Sequence, residues 1–72
     1  MNSIQKLYQE SIDSMKAIND QYEREIKLIN SGKFGVPRSQ RASIISDLMS
    51  SIESNIKAIE EIRGFIKEAT DL

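Results

Sequence analysis

The chain contains no cysteine and no histidine, a single proline and only three glycines. No apolar run approaches the ~20 residues needed to span a bilayer. Without cysteine no disulfide can form. Without cysteine and histidine the usual structural zinc ligands are missing, and so are the thiol and imidazole members of the common nucleophilic triads. Charge of one sign is also lacking: Lys+Arg 10 stand against Asp+Glu 11, a balance that argues against wholesale nucleic-acid affinity. Residues Met1 to Tyr8 show no basic region followed by an apolar stretch, so a cytoplasmic chain without a membrane segment is expected. Seventy-two residues leave room for one structural unit. Below about 80 residues a lone core rarely supplies more than a few kcal/mol, and small proteins add disulfides, a metal or a partner. Partnership is the staple this composition leaves open.

What is present is helical periodicity. Ile4, Tyr8, Ile12, Met15, Ile18, Tyr22, Ile26 and Ile29 recur at intervals of three or four, which predicts one stripe of an α-helix over about 3–30. Leu7, Ala17 and Leu28 widen it, and Asn2 or Ser3 can cap its start. Two glycines and the only proline then interrupt the pattern across about 31–37. Gly32 suits the left-handed position past a helix end, and Pro37 suits the opening turn of the next helix, with Ser39 as a competing cap. A second stripe, Ile45, Leu48, Ile52, Ile56, Ile59, Ile62, Ile66 and Ala69, predicts a helix over about 38–70. Its mean spacing lies nearer 3.5 than 3.6, the period of a supercoiled seam. The fold expected is therefore all-α: an antiparallel two-helix hairpin of coiled-coil character, completed by oligomerisation or by a partner. Gly64 inside the second helix costs about 1 kcal/mol against alanine, so the last turns should fray or admit another chain closely.

Two helices side by side leave flanking apolar residues in water. Leu7, Leu28, Ile44, Met49 and Phe65 form such an off-seam set. Along the second helix Ser43, Ser46, Ser50 and Ser54, continued by Ala58, make a row of small residues. Serine is a mediocre helix former, and the row reads either as a plain solvated face or as a groove for a partner helix. The candidate partner-binding residues are accordingly Ile44, Ser46, Met49, Ser50, Ser54 and Phe65, on the outer side of the second helix, with Ile52 and Ile56 assigned to the seam. Phe34, at the turn, either closes the hairpin end or anchors a partner.

Between Glu25 and Asp47 there is no acid, whereas Lys27, Lys33, Arg38 and Arg41 fall in that window. A Gly-flanked loop entering a helix could close Lys33, Arg38 and Arg41 around an anion, although Gly32-Lys33-Phe34-Gly35 lacks the Walker spacing. A solvated basic loop is the simpler account. The carboxylates read as ordinary solvent faces, so no enzyme activity, cofactor or metal is expected.

A cysteine-free chain of this length, with two helices around a Ser31-Gly32 turn and the apolar ending Ala58-Ile59-x-x-Ile62-x-x-Phe65-Ile66, resembles the small E-type co-chaperones of the type III secretion needle subunit. Pro37 and the length of the turn depart from that pattern. The resemblance implies a cytoplasmic bacterial protein that binds a larger helical-repeat chaperone and, with it, keeps the needle subunit from polymerising. It transfers no residue-level role. Two readings of other classes stand beside it: an inhibitor or sponge that binds an anionic nucleotide at the basic turn, and a self-assembling helical bundle that binds RNA. The balanced charge counts against the second.

Overall fold

The computed structural model describes residues 2–33 and 35–71. Phe34, with its expected role at the turn, lies outside the described residues. The described residues form two helices: α1, Ser3–Asn30, and α2, Arg38–Asp71. They pack against each other as the expected helical hairpin, and no strand occurs among the described residues. Asn2 is the cap of α1: its side chain accepts from the Gln5 N–H at 2.8 Å, while the Gln5 side chain accepts from the Asn2 N–H at 3.1 Å. This reciprocal box satisfies two N–H groups that a helix start otherwise leaves orphaned. At the other end the Ser31 N–H donates to the Lys27 carbonyl, and Gly32 follows at φ +79°, a region where any Cβ costs about 1–2 kcal/mol. Gly35, at φ +66°, makes the second left-handed step. The chain then turns into α2, whose first bond runs from the Gln40 N–H to the Pro37 carbonyl at 2.9 Å.

The seam follows a stricter rule than the apolar stripes suggested. In α1 the residues turned toward α2 are Gln5, Tyr8, Ile12, Met15, Asn19, Tyr22, Ile26 and Ile29. In α2 they are Arg41, Ile45, Leu48, Ile52, Asn55, Ile59, Ile62, Ile66 and Ala69, all buried or half-buried. Both series alternate gaps of three and four without exception, which is the a/d pattern of a heptad. With Gln5, Ile12, Asn19 and Ile26 at a, and Ile45, Ile52, Ile59 and Ile66 at a in α2, the remaining seam residues fall at d. Three expected seam members are thereby corrected. Ile4, Ile18 and Ile56 are exposed, and the polar neighbours Gln5, Asn19 and Asn55 take their places.

A polar layer in the middle of the seam holds because it is paired. Asn55 Nδ2 donates to Asn19 Oδ1 at 2.8 Å, with Asn19 only 8% exposed. The same antiparallel register sets Tyr8 beside Phe65, ring centroids 6.0 Å apart. Heptad alternation from the Asn layer pairs Met15 with Ile59 and Ile12 with Ile62 on one side, and Tyr22 with Ile52 and Ile26 with Leu48 on the other. Ile12, at 1% exposure, is the deepest large side chain among the described residues.

The hairpin is a rod. Its extents are 53 × 15 × 11 Å and its radius of gyration 16.2 Å, against about 11 Å for a compact domain of this length. Its accessible surface, 5455 Å², exceeds by about 900 Å² what a globular monomer of its mass presents. Gly64 is exposed on the outside of α2, and a Cβ there would meet nothing within 4 Å. Gly64→Ala should therefore raise the free energy of unfolding by up to ~1 kcal/mol, read as a higher urea midpoint. A fall would mean that Gly64 has a packing role.

Candidate interaction face

An antiparallel heptad seam has two edges, one where the g positions of both helices meet and one where the e positions meet. The first edge carries Ile4, Ser11, Ile18 and Glu25 from α1 with Ile44, Ser51, Ala58 and Phe65 from α2. Leu7, Ser14 and Leu28 lie just outside it at c positions of α1. A shallow cleft on this edge is lined by Leu7, Glu10, Ser11, Ser14 and Ala58 over Met15 and Ile62. Phe65 leans on Tyr8 at an interplanar angle of 38° yet stays 50% exposed. Five of the seven large apolar side chains exposed among the described residues lie on this edge, Ile4, Ile18 and Phe65, or beside it, Leu7 and Leu28.

The second edge differs in kind. Its two clefts are lined by Lys16, Asp20, Glu23, Glu60 and Arg63 around Ile56, and by Glu23 and Glu53 around Met49. Charges of both signs interleave there. At e and b positions Asp13, Asp20, Glu23, Glu53 and Glu60 balance Lys6, Lys16, Lys27, Arg63 and Lys67, five against five. At g and c positions Glu25, Asp47, Glu61 and Glu68 stand alone: none of the ten Lys and Arg residues falls there, so that side carries a net charge of −4. The g and c positions of the apolar edge thus carry acids only, with Arg24 and Lys57 at the f positions behind them.

The residues singled out from sequence are divided by this geometry. Ile44, half-buried, and Phe65 lie on the apolar edge, but 21 residues apart, about 31 Å along the helix. Met49 lies on the mixed edge, because it follows a seam residue, whereas Phe65 precedes one. Ser46, Ser50 and Ser54 are exposed and wander across the back of α2 at b, f and c positions. Ala58, expected to continue their row, instead faces the cleft. The six candidates therefore do not form one patch.

At the turn, Arg41 Nε donates to the Val36 carbonyl at 3.0 Å, and its Nη2 lies 3.5 Å from the point where a Cβ on Gly32 would sit. Arg41 is half-buried and ties α2 to the loop, while Lys33 and Arg38 are exposed. One of the three cations offered for anion binding is thus engaged in holding the turn. No group of three or more acids placed to hold a metal ion occurs among the described residues, nor any helix long and apolar enough to cross a membrane.

No protein family, no curated protein and no solved structure matches the chain. The site rests on its own geometry. Apolar spacing misses Asn19 and Asn55 because an isoleucine, Ile18 or Ile56, stands one position away from each. The signal that finds them is the unbroken three-four alternation, followed through polar residues as well as apolar ones.

Proposed function

We propose that the chain is a small helical interaction module, a co-chaperone that lends its apolar edge to a larger helical-repeat chaperone and so helps keep a type III secretion needle subunit unpolymerised in the bacterial cytoplasm. The observation that carries the interaction reading is the concentration of Ile4, Leu7, Ile18, Leu28 and Phe65 on one side of a rod whose surplus surface, about 900 Å², is close to one partner's share of a standard interface. The co-chaperone reading adds the family resemblance in length, hairpin form and apolar ending.

Co-expression tests it. The chain, the helical-repeat chaperone of the same secretion locus and the needle subunit should co-elute as one soluble complex. Omitting the chain should let the needle subunit form filaments. A needle subunit that polymerises equally fast with and without the chain would refute the co-chaperone role. Exchanging Leu7 and Phe65 for serine should release the chaperone from the complex while helicity is retained.

A further inference from the structure

We propose that the apolar edge docks an amphipathic helix of another protein whose own apolar stripe is bordered by Lys and Arg. The inference rests on the interaction reading above and adds the chemistry of the partner. Its ground is the uneven division of charge. The e and b positions of the mixed edge are balanced, five acids to five bases, whereas the g and c positions of the apolar edge hold Glu25, Asp47, Glu61 and Glu68 and no base. Rim charges of one sign select partners of the other and repel their own.

The same division weighs against other occupants. A second copy laid on this edge would face four acids with four acids. Nucleic acid and anionic lipid surfaces would meet the same acids. A helix with a basic border satisfies the rim and fills the Ser11, Ser14 and Ala58 cleft with a large side chain, in the helix-in-groove manner.

Synthetic amphipathic peptides of about 20 residues, long enough to be helical when bound, provide the probe. Two share one leucine stripe, bordered by lysine in one and by glutamate in the other. Fluorescence anisotropy with the full chain should show the lysine peptide binding at least about tenfold tighter at ~0.05 M salt, with the preference shrinking at ~0.5 M. Glu61→Lys with Glu68→Lys should abolish the preference. Glu53→Lys with Glu60→Lys, on the mixed edge, should preserve it. All four acids are exposed, and circular dichroism checks that helicity is kept.

Equal binding of the two peptides would overturn the charge inference and leave the apolar edge as a docking face. Binding of neither would overturn both readings. A free chain that sediments as a dimer at micromolar concentration, dissolved by Leu7→Ser with Phe65→Ser, would assign the edge to a second copy.

Discussion

Asn55→Ala should destabilise the hairpin by about 1–3 kcal/mol, because it removes the donor from Asn19 Oδ1 inside the seam and leaves that amide without its partner. The partner variant Asn19→Ala should cost a similar amount. Replacing both, as Asn19→Ile with Asn55→Leu, should behave differently: two apolar side chains fill the layer with nothing polar left behind, so the melting temperature should rise. The penalty should appear as lost uniqueness. In coiled coils a single buried asparagine layer selects register and oligomer state at a cost in stability. Here the turn already enforces the antiparallel direction, so what the pair discriminates against is a slip by one heptad or an exchange of helices between chains. Urea midpoints report the stabilities, and sedimentation reports the species. A double variant that is more stable and still one monomeric species would deny the pair its specifying role. Single variants within about 0.5 kcal/mol of the parent would deny that it is a satisfied buried pair at all.

The second large effect concerns Ile12. Ile12→Ala should cost about 2–5 kcal/mol, the transfer term of the lost carbons plus the cavity they leave, because no other large side chain among the described residues is buried as deeply. A chain of this length has a total stability of roughly 4–11 kcal/mol. The substitution should therefore lower the melting temperature by at least about 8 °C. Ile56→Ala is the instructive comparison. Placed on the seam by its spacing, Ile56 is 46% exposed, and alanine recovers part of the lost burial through its better helix propensity. Its cost should be about 1 kcal/mol or less. Thermal melts followed by circular dichroism decide the order, and an Ile56→Ala loss as large as that of Ile12→Ala would contradict the seam described above.

Ile56 and Ile18 show where reading by apolarity alone goes astray. Ile18 and Asn19 are adjacent in the chain, as are Asn55 and Ile56, and adjacent positions lie about 100° apart around a helix. Hydropathy favours the isoleucine of each pair. Burial follows phase instead: once the neighbouring layers Met15, Tyr22, Ile52 and Ile59 face the other helix, the three-four alternation brings round the asparagine.

The division between chain and fold follows from range. Local chemistry in the sequence by itself determined two long helices through their apolar period, a start capped at Asn2 or Ser3, and the break at Gly32 and Pro37, since each depends on residues within about one turn of one another. The tertiary structure alone decided which residues share an edge. Leu7 and Ala58 lie 51 positions apart in the chain yet line one cleft, because an antiparallel register joins the beginning of α1 to the end of α2. The gathering of acids along the apolar edge and the balance of charges along the other exist only after that register is set, because each edge is assembled from both helices.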